Sequence, residues 1–95
     1  MLRFTLPALV ALSLLASCSG LPNDRVIVQG AGPDDLLKLR AGPGLGFNVI
    51  MGLPDGTALI RRDCVTEVGQ RWCRVLVEDS PRVTGYVSAD YLTPR

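Results

Sequence analysis

Three cysteines and nine carboxylates are the first candidates for chemistry in this chain. The sequence contains no histidine. Without an imidazole there is no Ser/His or Cys/His pair for nucleophilic catalysis, which leaves acids, hydroxyls and Lys38. The aspartates lie mostly beside Gly, Pro or the ends of predicted strands, as turn and cap residues do. A chain this short also has little room for the two facing carboxylates of a glycosidase. We therefore predict that the protein is not an enzyme and has no cofactor.

Cys18 ends an N-terminal segment with the features of an export signal. Arg3 is a short basic region, residues 4–16 are an uncharged apolar run, and Leu15-Ala16-Ser17-Cys18 has the order of a bacterial lipoprotein signal. The alternative is an ordinary secretory signal with a chance cysteine. The lipoprotein signal is favoured, since the apolar run is too short for a comfortable membrane span and stops at a cysteine with the right neighbours. We predict that residues 1–17 are a lipoprotein signal peptide and that the Cys18 thiol accepts a diacylglycerol.

Cys64 and Cys73 then remain as a pair in an oxidising compartment, where a structural disulfide is expected. Their spacing is not that of a C-x-x-C redox motif, and without histidine they cannot complete a zinc shell. We predict no metal site. If Val68 and Gly69 form a two-residue turn, Cys64 lies opposite Cys73 on antiparallel strands, within the distance that a disulfide tolerates.

The charge balance disfavours electrostatic partners. The chain has ten basic and nine acidic residues, and removal of Arg3 with the signal makes these numbers equal. There is neither a basic patch nor a run of like charges, so nucleic acid is a poor candidate for the partner. Residues 18–24 would be a short tether that spans at most ~26 Å, which keeps the domain close to its membrane.

Short alternating segments separated by turn residues predict an all-β domain over residues 25–95. Residues 37–41, LKLRA, alternate apolar and charged side chains before Gly42-Pro43-Gly44 ends the strand, where we expect backbone angles that only glycine adopts readily. Residues 72–78 are apolar on both faces, which is typical of a central strand. Residues 88–91 read as a helical turn that Ser88 caps. Strands are predicted at residues 25–29, 37–41, 48–53, 57–65, 72–78 and 83–87.

Four motifs follow one another along this domain. L-x-x-R-x-G-P-G at residues 37–44 and the aromatic Phe47 precede VIMGLPDGT at residues 49–57, WCRV at residues 72–75 and GYVSADYL at residues 85–92. In this order they resemble a bacterial SH3 (SH3b) domain, and the resemblance covers roughly residues 34–92. It implies a small SH3-like barrel of five or six strands.

Aromatic residues after the signal are sparse, which makes them candidates for a binding site. Trp72 and Tyr86 are equally well explained as residues that pack inside the barrel. As binding residues, Phe47 and Trp72 would form the walls of a shallow groove, with a guanidinium on its rim. Flat apolar faces beside a guanidinium suit either a sugar ring or an extended peptide. The candidate ligand-binding residues are Arg40, Phe47, Trp72, Arg74 and Tyr86.

The SH3b resemblance implies a non-catalytic binding module, commonly for peptidoglycan or its stem peptides. Such modules often accompany a hydrolase; because these 95 residues contain no hydrolase domain, we expect tethering or scaffolding. The alternative is a scaffold that binds a protein partner in the cell envelope. By the same analogy, Ser19 rather than Asp after the lipidated cysteine resembles a signal for sorting to the outer membrane, with the domain facing the periplasm.

Overall fold

The computed structural model describes residues 24–95, so the predicted signal peptide, Cys18 and most of the tether lie outside the described residues. Seven strands and one 3-10 turn make up this part of the chain. Within it, no helix is long and apolar enough to cross a membrane. The elements are β1 (Arg25–Val28), β2 (Leu37–Arg40), β3 (Val49–Leu53), β4 (Ala58–Glu67), β5 (Gln70–Val77), β6 (Ser80–Ser88), the 3-10 turn (Ala89–Tyr91) and β7 (Leu92–Pro94).

All strands join one curled antiparallel sheet in the order β3-β2-β6-β5-β4-β1-β7. The predicted all-β, SH3-like fold is confirmed. The sequence prediction of five or six strands lacks β7, which pairs with β1 at Val28 and Leu92. Three residues that end in proline carry no alternation from which a strand can be recognised. β5 lies between β4 and β6, as expected for a strand with apolar side chains on both faces.

The core lies on the concave side of this sheet and is built mainly from aliphatic side chains. In β2, Leu37 and Leu39 are buried while Lys38 is exposed, as the alternation predicts. In β5, Cys73 and Val75 join the core, and Trp72 projects from the opposite face. The buried core residues are Val26, Val28, Leu37, Leu39, Leu53, Leu59, Cys73, Val75 and Val87.

The β4–β5 hairpin has the predicted register. Glu67 pairs with Gln70 across the two-residue turn, and Cys64 lies opposite Cys73 with their Cα atoms 4.0 Å apart. The two cysteines form a disulfide in the structure. Val68 and Gly69 both have positive φ, 50° and 77°, as a type I′ turn requires. A β-branched residue in this conformation is unusual.

The β5–β6 turn is tighter than the sequence suggests. Residues 79–82 are predicted as a turn, yet β6 already begins at Ser80 and includes Pro81. The pairing shifts between Leu76 and Val77, and Val77 then pairs with Ser80. An irregularity of this kind accommodates a residue that lacks a backbone N–H donor.

Candidate functional site

Arg40 organises the loop between β2 and β3, residues 41–48. Its Nη1 donates to the carbonyl oxygens of Leu45 and Phe47, each at 3.1 Å. The loop is closed at its base, where the amide of Ala41 donates to the carbonyl of Asn48 at 2.8 Å. The arginine of the L-x-x-R-x-G-P-G motif thus satisfies loop carbonyls that have no partner in a strand.

Neither Gly42 nor Gly44 has the positive φ angle that was expected in the Gly-Pro-Gly turn. Positive φ angles occur at Gly30, Gly32, Gly56 and Gly69, but at neither glycine of the Gly-Pro-Gly turn. The Phe47 ring instead occupies the space beside Gly42: a Cβ atom there would lie 2.4 Å from Cδ1 of Phe47. The expectation of unusual backbone angles at these two glycines is therefore wrong. Gly42 is required for space, whereas a Cβ atom on Gly44 would lie at an ordinary contact distance of 3.5 Å from the Phe47 ring.

Beside this loop lies an open groove with a volume of about 720 Å³. Phe47 and Trp72 both line it, as the sequence analysis expected, and Tyr91 is the third aromatic residue. Phe47 is 48% exposed and Tyr91 38%, whereas Trp72 is only 6% exposed and belongs to the floor. The lining residues are Pro43, Gly44, Leu45, Gly46, Phe47, Glu67, Val68, Gln70, Trp72, Ser88, Asp90 and Tyr91.

Tyr91 is held in place by the 3-10 turn. The Ser88 hydroxyl accepts a hydrogen bond from the amide of Asp90 at 3.3 Å, which is the cap predicted from the sequence. The Tyr91 carbonyl accepts from the amide of Gln29 at 2.8 Å, and its ring lies beside Gly30. Sequence reasoning missed Tyr91 as a site residue, because the turn was recognised but not the direction of its side chain.

Polar side chains at the hairpin end of the groove are joined to one another. Gln70 donates from Nε2 to the Ser88 hydroxyl at 2.9 Å and, more weakly, to Oδ2 of Asp90 at 3.4 Å. Ser88 is also the cross-strand partner of Trp72. These contacts fix β5, β6 and the 3-10 turn relative to one another, so the groove is largely preformed.

Arg40 contributes to a smaller depression of about 220 Å³ that adjoins the groove. The two share Leu45, Trp72, Ser88 and Tyr91. Lys38 and Asp35 also line the depression. The guanidinium of Arg40 does not stand free on a rim, because its Nη1 is bonded to the loop carbonyls.

The structure does not bring Arg74 and Tyr86 into the lining of either depression. Arg74 forms an ion pair with Asp63 at 2.8 Å. A backbone hydrogen bond to Asp63 and the bond from Arg74 hold the pKa of this carboxyl below its usual value. Tyr86 lies on β6 opposite Arg40 on one side and Arg74 on the other. Arg74 and Tyr86 therefore lie side by side on neighbouring strands, outside the groove wall.

Taken as chemistry, the groove offers aromatic and aliphatic surface, an amide, a hydroxyl and two carboxylates. Within residues 24–95 no three residues of the metal-ligating types His, Cys, Asp and Glu come together. A concave apolar surface with a few convergent polar groups is typical of a ligand site.

Comparison with known proteins agrees with this arrangement. A family model for the bacterial SH3 domain matches residues 35–93, which is more than half of the chain. No curated protein and no solved structure matches. The matched range begins just before β2 and ends within β7, so it contains every residue that lines the groove. The chain therefore belongs to the bacterial SH3 domain family.

Proposed function

We propose that this domain binds peptidoglycan or its stem peptides, without catalysis, from a lipid anchor on Cys18. Bacterial SH3 domains are generally binding modules, often for peptidoglycan. The observation that carries the proposal is the convergence of Phe47, Trp72 and Tyr91 on one groove. In a chain with so few aromatic residues, three on one concave surface are a large share of the available stacking area.

The shape of the groove suits an extended polymer. It is open, and it shares Trp72 and Tyr91 with the smaller depression, so an extended ligand could lie across both. The faces of Phe47 and Tyr91 are exposed enough to stack on a sugar ring or an extended backbone. Gln70 and Ser88 provide hydrogen-bonding groups on the same surface.

The position of the anchor supports a ligand in the cell envelope. β1 begins at Arg25, only a few residues after Cys18, so the tether spans at most ~26 Å. Ser19 after the lipidated cysteine favours the periplasmic face of the outer membrane. From there the groove would meet the wall layer directly.

A pull-down with purified sacculi tests the proposal. The chain is incubated with sacculi, which are sedimented, washed and assayed for bound protein. We expect the wild type to cosediment and a groove variant, Phe47→Ala, to remain in the supernatant. Equal recovery of the two proteins, or no recovery of the wild type, would contradict binding through the groove.

A protein partner in the envelope is the second candidate function, and β3 is the observation that favours it. In the described part of the chain β3 pairs only with β2 and forms one edge of the sheet. Val49, Ile50 and Met51 are 47%, 49% and 40% exposed there. An exposed apolar edge can add a strand from another protein. Cross-linking in cells from position 50 would then recover one specific envelope protein, while sacculus binding would be absent.

A further inference from the structure

The charges that line the groove all have the same sign. Glu67 lies at the β4–β5 turn and Asp90 in the 3-10 turn, and both side chains line the groove. No lysine or arginine is among the lining residues. Two carboxylates and no cation on an aromatic groove create a local negative potential.

None of the described lysines and arginines forms an ion pair with these carboxylates. Arg40 is bonded to loop carbonyls, Arg74 is paired with Asp63, and Lys38 lines the adjoining depression instead. Ion pairs between residues 24 and 95 involve other acids, namely Glu78, Asp24 and Asp63. Asp90 receives only the long bond from the Gln70 amide, and Glu67 has no side-chain bond within the described range. Both carboxylates are therefore available to a ligand.

The aromatic residues of the groove favour the same kind of ligand. The face of an aromatic ring carries partial negative charge and attracts an ammonium group, most strongly when the group is partly removed from water. Phe47, Trp72 and Tyr91 provide such surface beside the carboxylates. Neutral sugar hydroxyls can donate hydrogen bonds to Glu67 and Asp90, but an ammonium group gains in addition the attraction between opposite charges, and an anionic ligand would be repelled.

We propose that the groove selects a peptide with a free ammonium group, which Glu67 and Asp90 recognise beside the aromatic side chains. This inference rests on the proposed function and makes it more specific: within peptidoglycan, the ligand is the amine-bearing part of the stem peptide and not the glycan strand.

The test compares two forms of the same sacculi. Sacculi whose stem peptides carry a free side-chain amine are used untreated or after acetylation, which converts each ammonium to a neutral amide. We expect the full-length chain, purified in mild detergent, to bind the acetylated form about tenfold more weakly, because a partly desolvated cation contributes that much. Binding to the untreated form should also weaken as salt is raised.

Two near-isosteric variants assign the effect to the groove. Glu67→Gln and Asp90→Asn should each weaken binding to untreated sacculi by about threefold to tenfold and leave binding to acetylated sacculi unchanged. Asp79→Asn is the matched control. It removes the same charge, but Asp79 lies in the β5–β6 turn, outside the groove lining. Equal binding of both sacculus forms by the wild type would overturn the inference and leave the proposed function standing.

If the protein does not bind sacculi at all, the proposed function is overturned, and a second experiment tests ammonium selection separately. Trp72 is the only tryptophan of the chain, so its fluorescence reports on the groove. The probes are blocked Ala-Lys-Ala and its Nε-acetyl form. A fluorescence change with the first peptide alone supports ammonium selection. The same response to both peptides, or to neither, overturns it.

Discussion

The Phe47 ring fills the space that a side chain at position 42 would need, with only 2.4 Å between Cδ1 and a Cβ built on Gly42. Gly42→Ala must therefore displace Phe47 or open the loop. We expect a loss of roughly 1 to 3 kcal/mol in the free energy of unfolding and weaker sacculus binding. Gly46→Ala is the matched control, because no atom lies within 4 Å of its added Cβ. Thermal melts in which the two variants behave alike would show that Phe47 does not depend on Gly42.

Val68 is fully exposed and has φ of 50° at the tip of the β4–β5 hairpin. Asn tolerates this conformation far better and, before Gly69, creates the sequence that type I′ turns prefer. We expect Val68→Asn to stabilise the domain by about 1 kcal/mol, which for a chain of this size raises the Tm by about 4 to 8 °C. Gly69→Ala should have the opposite effect, because Gly69 has φ of 77°. A lower Tm for Val68→Asn would mean that the valine side chain makes stabilising contacts.

The disulfide between Cys64 and Cys73 closes a loop with a sequence separation of 9. Chain-entropy arguments assign about 2.5 kcal/mol of stabilisation to a loop of this length. Adding a reductant should lower the Tm while the far-UV spectrum at room temperature stays that of a β protein. The Cys64→Ser/Cys73→Ser variant should melt at the lower temperature with or without reductant. Free thiols at both positions in periplasmic material would contradict the expected bond.

The aromatic residues of the groove should differ in whether their replacement weakens binding or unfolds the domain. Phe47→Ala and Tyr91→Ala remove exposed stacking surface, and we expect sacculus binding to weaken by about 5- to 100-fold with a modest change in Tm. Trp72 is 6% exposed, so Trp72→Ala should cost about 3 to 5 kcal/mol and threaten folding altogether. Trp72→Phe keeps an aromatic side chain in the floor of the groove, so its effect on sacculus binding can be measured in a folded protein. Unaltered binding by both Phe47→Ala and Tyr91→Ala would remove the groove from the proposed function.

Cys18 carries the proposed anchor, and its replacement separates anchoring from folding. We expect Cys18→Ala either to release the protein from membranes or to accumulate as uncleaved precursor, because diacylglycerol transfer requires the thiol. Membrane fractionation and mass spectrometry of the native protein, which should show acyl groups on Cys18, provide the measurement. An unmodified Cys18 in native mature protein would be the contrary finding.

The secondary structure was largely predictable because it is encoded locally. The alternation in residues 37–41 determines which side of β2 is buried, and the turn at Val68-Gly69 determines which residues of β4 and β5 are paired. β7 was not predictable, since Leu92–Pro94 becomes a strand only through its contact with β1. Strand ends also differ by a few residues where pairing extends them, as in β6.

The candidate site was predictable only in part, because it depends on where side chains point after folding. Phe47 and Trp72 line one groove, although Trp72 lies in its floor and not in the predicted wall. Arg40 was expected on a rim, yet its guanidinium binds carbonyls of its own loop. Glu67 reaches the groove from a segment far in sequence from Asp90 and Tyr91, and only the β5–β6 pairing and the 3-10 turn bring the two segments together.

The position of β1 between β4 and β7 determines how the domain would carry mechanical load. The proposed anchor pulls on the chain at Arg25, the first residue of β1, while a wall ligand would pull on the groove. Because the hydrogen bonds of β1 run perpendicular to the strand on both sides, a force along the strand loads them together in shear. Unzipping, which breaks such bonds one at a time, would require a pull across the sheet. A link between membrane and wall built in this way would resist tension that acts along β1.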